Sequence, residues 1–360
     1  MNEKLLYATN MLVSRCLNAG KSSGKNFVRD VLVVKWDEIG DMATAVHVFD
    51  LIKKSHPAAN VTVLCKPFVA SLLKYHPAVS NVITNIALWN RPFDVVVELR
   101  GTWKTLWKSM HWKTMPKYRV DRGWIRFQQR GNQPHELLTN YRIVEPLLAD
   151  EDRGLSISDL LNHRMLYPNS DDKLAAKAWR EWAMEGATVD FKGYAILHTG
   201  ARSELRRWST QRYVKVSNWL FEEQKLMPIW VGTTNERAQI EEAMKLGALG
   251  KVWISGEISP KNNDLLAFYQ LIAEASLYVG NESGPLQLAD IAKVPLVAIY
   301  GPGVPHVFYP QSPNSRVLHE VLSCNPCDQI QCIQPQDRCV DRISVEGVKM
   351  AVCEVLAASV

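Results

Sequence analysis

Val31-Leu32-Val33-Val34, then Lys35, then Trp36-Asp37-Glu38-Ile39-Gly40-Asp41, is the stretch that decides the fold class. A short, β-branched apolar run of this kind is the mark of a strand buried on both faces, as in a parallel sheet. Gly40 and Asp41 turn the chain. Ala43, Val46, Phe49 and Ile52 then recur at helical spacing and stop before Pro57. The same grammar continues: a strand at 61–64, a helix near 69–75, and strands at 82–83 and 95–97. A polar stretch from Asn162 to Asp172, containing Pro168, breaks it. It then restarts, with strands at 195–197, 228–231, 252–254, 277–279 and 295–300 and helices at 209–223, 235–246, 265–275 and 285–292. A last helix spans 345–358. Two such runs predict an α/β chain of two Rossmann-like parallel-sheet domains facing a central cleft, with ligands at the carboxyl ends of the strands.

The expected division is an N-terminal amphipathic extension (1–30), a first domain (31–170), a second (171–344) and a closing helix (345–360). The length of 360 residues fits two domains, and 47% hydrophobic with 22% charged residues is the composition of a soluble globular chain. No apolar run is long enough to span a bilayer, and the first residues lack the pattern of a secretory signal, so a cytoplasmic protein is expected. In the extension, Leu5, Leu6, Leu12, Val13, Cys16 and Leu17 recur at roughly helical spacing beside Lys4 and Arg15, ahead of a polar link, Lys21 to Lys25. Such a helix suits peripheral contact with a membrane surface, or docking on its own domain or on a second subunit.

Three segments carry chemistry. Asp41 follows the first strand at a helix start, where it is either a capping carboxylate or a base facing the cleft. Thr199-Gly200-Ala201-Arg202 follows another strand, with Arg206 and Arg207 just before a helix. Small residues that admit backbone amides, next to fixed cations, make a phosphate site. Glu282-Ser283-Gly284-Pro285 turns a third strand into a helix, placing amides for a diphosphate and an acid for sugar hydroxyls. No G-x-G-x-x-G is present, which counts against a dinucleotide oxidoreductase. Seven cysteines include a cluster, Cys324, Cys327, Cys332 and Cys339, which is a weak structural metal candidate or a loop of reduced thiols.

In order and spacing these segments resemble glycosyltransferase family 9, the ADP-heptose:lipopolysaccharide heptosyltransferases, over roughly residue 31 to the C-terminus. The family's Ile-Gly-Asp is matched by Ile39-Gly40-Asp41, its Lys-x-Trp by Arg206-Arg207-Trp208, and its Asp-Ser-Gly-x-x-His by Glu282-Ser283-Gly284-Pro285-Leu286-Gln287. The resemblance implies a GT-B fold and metal-independent, inverting transfer, with no cofactor beyond a nucleotide-sugar donor, ADP-heptose or similar. It makes Asp41 the base and Arg206 the cation on the leaving phosphate. Gly40, Thr199, Gly200, Ala201, Arg202, Glu236, Glu282, Ser283, Gly284 and Gln287 would bind the donor. All three departures (Lys to Arg206, Asp to Glu282, His to Gln287) fall on the donor side, so the donor sugar is open.

Between Arg100 and Arg130 lie nine Lys or Arg residues against one acid, Asp121. Either this is a solvated face, or Lys104, Lys108, Arg119, Arg122 and Arg126 form a cationic acceptor platform, with Trp112 and Trp124 stacking on sugars or packing in the core. An acidic, lipid-linked glycan at the inner face of the cytoplasmic membrane is the expected partner, and nucleic acid is not. Two rivals remain: an enzyme on the same architecture resembling a nucleotide-sugar epimerase, and a non-catalytic polyanion-binding protein.

Overall fold

The computed structural model describes residues 3–19, 28–109, 116–123, 125, 133–187, 189–258, 265–325, 327 and 331–358. The link Lys21 to Lys25, Trp112, Trp124, Arg126 and Arg130 lie outside them. The chain divides into two compact units, Met1–Tyr167 and Pro168–Val360.

In the first unit β1 (Asp30–Lys35), β2 (Asn60–Cys65), β3 (Asn81–Ile83), β4 (Val95–Glu98) and β5 (Tyr118–Asp121) form one sheet. Its order is β3-β2-β1-β4-β5, and every pairing is parallel. The chain runs to one side of β1 through β2 and β3, and to the other through β4 and β5. The carboxyl ends of β1 and β4 therefore flank a topological switch point, where side chains at the strand ends are left uncovered. Leu32, Val34, Leu64, Ile86, Phe93 and Val96 fill one side of the sheet, with Trp89 stacked on Phe93. Around the sheet stand α2 (Ile39–Ala43), α3 (His47–Ser55), α4 (Trp103–Ser109), α5 (Glu136–Val144) and α6 (Ile157–Leu161). Where a helix near 69–75 is expected, the chain forms a 3-10 helix, Pro67–Leu73.

Helix α1 (Glu3–Asn18) is part of this unit, not a separate appendage. It lies along edge strand β5 through a polar stripe at positions 10, 14 and 18, which share one helix face. The Asn18 amide donates to the Arg119 carbonyl at 2.8 Å and accepts from the Arg119 N–H at 2.9 Å, replacing the missing neighbour strand. That blunts an edge which would otherwise recruit another chain. Leu5 and Leu12 face outward. No helix among the described residues is long and apolar enough to cross a membrane.

In the second unit β6 (Gly193–His198), β7 (Leu226–Gly232), β8 (Lys251–Ile254), β9 (Leu277–Asn281), β10 (Leu296–Tyr300) and β11 (Ser315–His319) form a sheet ordered β11-β10-β9-β6-β7-β8. It too is parallel throughout. Its switch point lies between β6 and β9. Helices α7 (Ser170–Met184), α8 (Thr210–Glu222), α9 (Arg237–Lys245), α10 (Leu265–Ala273), α11 (Gly284–Ala292) and α12 (Pro305–Phe308) pack around it. The terminal helix α13 (Val345–Ala357) buries Val348, Ala351, Val352 and Val355 in the same core as Trp208, Tyr213 and Trp230. It thus belongs to this domain's interior.

Candidate active site

Asp41 stands in the first turn of α2, directly after the carboxyl end of β1. It is not the cap of that helix: the cap is Glu38, whose side chain bonds no amide. Among the described residues the Asp41 carboxylate accepts no hydrogen bond, and Gly40 beside it contributes only a backbone turn, accepting from Thr44 N–H. Burial raises the proton affinity of Asp41, Lys35 pulls it back, Asp37 and Glu136 raise it further and Arg100 lowers it; the net result is a raised pKa. A free carboxylate with raised proton affinity is suited to taking a proton.

The surrounding charges are interlocked. Lys35, which ends β1, is fully buried and lies 3.3 Å from Asp37 and 3.7 Å from Glu136. Arg100, just past the end of β4, places its Nε 2.8 Å from Asp37 Oδ1 as an ion pair. Arg122 grips Glu136 with both guanidinium nitrogens, at 2.5 and 2.8 Å, and donates to the Leu99 carbonyl. Each charge thus has a partner of opposite sign, the condition under which buried ions persist. Sequence reading did not single out Lys35 or Glu136. A lysine closing an otherwise apolar strand was the available signal.

The cationic platform needs a correction. Arg119 is fully buried, bonding Asn10 and Ser14 of α1 and pairing with Glu98 and Asp121, while Arg122 is held by Glu136. Both guanidiniums serve the interior of the unit, so neither offers charge to an acceptor. Lys104 and Trp107 of α4 are exposed. Lys108 folds over the Trp36 ring, 3.9 Å from its centroid, close to the strand end that carries Asp37.

In the second unit the expected donor residues gather at the switch point. Gly200 and Ala201 continue from β6, and Arg207 clamps the Ala201 carbonyl with two hydrogen bonds. Arg202 is exposed. The Thr199 carbonyl accepts from Asn281 at 2.7 Å and from Gln239 at 3.2 Å, whereas its buried hydroxyl has no partner among the described residues. Asn281 also accepts from Trp208 N–H and the Tyr213 hydroxyl, so one amide at the end of β9 ties three segments together. Neither Asn281 nor His198 was expected to contribute.

Arg206 Nη1 lies 3.1 Å from Glu282 Oε1. Burial pushes the Glu282 pKa up against the pull of Arg206, and its second oxygen has no hydrogen-bond partner among the described residues. Gly303, after β10, lies so close that a Cβ there would sit 2.3 Å from that oxygen. Ser283 precedes α11, yet its hydroxyl caps none of that helix's amides; it lies 3.2 Å from His198 Nδ1. Glu236 lies 3.4 Å from His198 Nε2 and accepts from Thr233 N–H and hydroxyl. Burial alone would raise the Glu236 pKa; the His198 ring and Thr233 outweigh it and bring it to about 2. The carboxylate packs on the Gly200 backbone, where a Cβ would come within 1.7 Å of it. Gln287, in α11, is buried and donates to the Phe308 carbonyl, so it steadies the segment after β10. Small backbone, an arginine, an unpartnered carboxylate oxygen and an open helix start together suit a nucleoside diphosphate carrying a hydroxyl-rich group.

Cys324, Cys327, Cys332 and Cys339 are free thiols that line one cavity of about 260 Å³ with Leu205, Pro302 and Arg338. Burial raises the Cys339 thiol pKa. Among the described residues no group of three or more His, Cys, Asp or Glu side chains is arranged to hold a metal ion.

Comparison with known proteins places this geometry. The family profile of Glycosyltransferase family 9 (heptosyltransferase) matches residues 87–336. Lipopolysaccharide heptosyltransferase 2 of Salmonella typhimurium is 22% identical over 324 residues, 80% of this chain and 87% of that one. A family 9 glycosyl transferase from Veillonella parvula superposes with a TM-score of 0.71 at 16% identity, covering 93% of this chain and 99% of its own. The E. coli heptosyltransferase WaaC with ADP gives 0.62 at 15% identity, covering 92% and 100%. The two parallel-sheet units are those of the GT-B fold. The chain belongs to glycosyltransferase family 9, the heptosyltransferases.

Proposed function

We propose that this chain is an inverting glycosyltransferase that moves a heptose, or a related sugar, from a nucleoside diphosphate to a hydroxyl of an acidic glycan. The Salmonella relative acts, by its name, on lipopolysaccharide, and a lipopolysaccharide core is the acceptor that fits this reading. WaaC was solved with ADP, which makes ADP-heptose or a close analogue the donor to test first. The observation that carries the reading is Asp41: a carboxylate at the switch point of the first unit, with raised proton affinity and no hydrogen bond to its carboxylate among the described residues.

In this chemistry the acceptor hydroxyl gives its proton to Asp41 while its oxygen forms a bond to the anomeric carbon. The bond from that carbon to the diphosphate breaks, and its electron pair leaves on the phosphate. Charge grows there, and Arg206 with the start of α11 offsets it without waiting for water to reorganise. The free oxygen of Glu282 is an acceptor for sugar hydroxyls, and Glu236 and Gly200 bound the ribose end. Gly40, Thr199, Ala201, Arg202, Ser283, Gly284 and Gln287 complete the proposed donor set. On the acceptor side the proposal keeps Lys104 and Lys108, with Arg126 as a further candidate. The chain would work in the cytoplasm, at the inner face of the membrane that holds a lipid-linked acceptor.

The chemistry as written needs no metal, so chelation should leave turnover unchanged. Arg206→Ala tests the donor half: ADP should bind about tenfold or more weakly by calorimetry. An unchanged Kd would move the phosphate site elsewhere.

A further inference from the structure

The second unit holds a chain of three polar side chains whose central member, His198, the transfer chemistry above leaves unused. His198 closes β6 and is buried. Its Nδ1 lies 3.2 Å from Ser283 Oγ and its Nε2 lies 3.4 Å from Glu236 Oε1. Ser283 comes from the turn after β9 and Glu236 from the turn after β7, so the ring bridges three strand ends. Beside Ser283 is the buried Tyr278 hydroxyl, and the Tyr213 hydroxyl reaches the His198 carbonyl. The site's other charges, Arg206 and Glu282, pair with each other.

Carboxylate and hydroxyl impose different demands on the ring. Glu236 is ionised throughout the neutral range, so it keeps a proton on Nε2. Nδ1 is then the variable atom. In the neutral ring it accepts, and the Ser283 hydrogen points at the imidazole. In the imidazolium it donates to Ser283 Oγ, and the hydroxyl hydrogen is released to another acceptor. Ser283 caps no amide of α11, which leaves the His198 ring and the Tyr278 hydroxyl as the partners that set where its hydrogen goes. One residue along the chain from His198, the Thr199 hydroxyl is buried and without a partner among the described residues, which marks this strand end as prepared for an acceptor group. In serine hydrolases the ring is used the other way round, with Nε2 toward the serine and Nδ1 toward the acid. This arrangement therefore orients a hydroxyl and does not activate a nucleophile.

We infer that His198 is a proton-holding positioning residue for the donor's diphosphate. Uptake of one proton at Nδ1 turns the Ser283 hydroxyl into a donor to a phosphate oxygen and sets a positive charge behind it. The proton comes from solvent on binding and returns on release, and no covalent bond changes. The inference rests on the reading of the second unit as a nucleotide-diphosphate site. Binding should strengthen as pH falls, because the bound state holds more protons than the free one.

The test is calorimetry of ADP with the full chain, between about pH 6 and 8.5, in two buffers of different ionisation enthalpy. ADP's own titration is common to every variant and cancels in the comparison. The wild type should take up protons relative to His198→Gln, and its affinity should rise by up to about tenfold per pH unit where the variant is flat. His198→Asn, whose amide nitrogen sits near the Nδ1 position, guards against a folding defect in the glutamine variant. Ser283→Ala should lose most of the proton uptake and, with it, most of the gain in affinity at low pH. Wild type and both His198 variants sharing one pH profile would overturn the assignment while leaving the donor site intact. No binding of ADP, UDP or GDP to the wild type at any pH would remove the donor reading, and this inference with it.

Discussion

Replacing Arg119 by methionine separates two accounts of the basic segment. The guanidinium is fully buried, donates to Asn10 and Ser14 of α1, and lies 3.5 Å from Glu98 and 3.4 Å from Asp121. Methionine fills much of the same space but leaves two buried carboxylates facing each other. Breaking a buried ion network from one side costs about 3–5 kcal/mol. For a unit of this size that lowers the midpoint of its thermal transition by roughly 10 °C. The deficit has a defined pH dependence. Burial already raises the Glu98 pKa and Arg119 holds it down, so without Arg119 the folded-state value climbs further above the unfolded one. An acid shifted in that direction destabilises above its folded pKa and ceases to do so below its unfolded pKa, so the deficit is greatest at neutral pH and shrinks in acid. Thermal unfolding of both proteins across pH measures this, and hydrogen exchange along α1 should rise in the variant. An Arg119→Met protein with wild-type stability and only a raised acceptor KM would refute the structural role and restore the residue to the acceptor platform.

Three further outcomes follow from the same packing. Glu236→Gln should cost about 3 kcal/mol near neutrality, the order implied by a pKa brought from 4.5 to about 2. Because that pKa is depressed, the contribution is present above about pH 4.5 and fades as pH falls toward 2, so wild type and variant should converge in acid; parallel stability curves would contradict the assignment. Gly200→Ala should displace the Glu236 carboxylate, weakening ADP binding more than it weakens the fold; full affinity in calorimetry would show that Glu236 is not needed where it stands. Prolonged chelation should alter neither the thermal midpoint nor turnover, and a lowered midpoint would instead place a metal among Cys324, Cys327, Cys332 and Cys339.

The parallel strands were legible because burial on both faces writes itself as β-branched runs such as Val31 to Val34 and Val95 to Val97. Strand β5 was not. Tyr118-Arg119-Val120-Asp121 alternates apolar with charged residues and reads as a basic loop, because the groups that bury its arginine come from other elements. Arg119 finds Asn10 at a separation of 109 residues, and Arg122 finds Glu136 at 14. Charge counted along the chain looked like a surface, and folding turned much of it inward. Helix α7 hid in the polar stretch for a different reason. Its start is a capping box of Asn169 and Asp172, and its buried face is mostly alanine (Ala175, Ala176, Ala183) around Trp179, so its apolar signal is weak. In the donor site, Thr199 to Ala201 and Glu282 to Gly284 could be read because each turn is local. The His198 link between Glu236 and Ser283 joins residues 38 and 85 positions from the ring and shows only in three dimensions.

Single-turnover transfer by Asp41→Asn is the most direct measurement, made with a donor from a nucleotide-sugar panel that the wild type turns over. Asparagine keeps the shape and cannot take the proton. Transfer should fall by about a hundredfold or more while ADP affinity and the thermal midpoint stay at wild-type values, and the wild-type acidic limb should lie above the usual aspartate range. A variant that transfers sugar at close to the wild-type rate would contradict the account at its root.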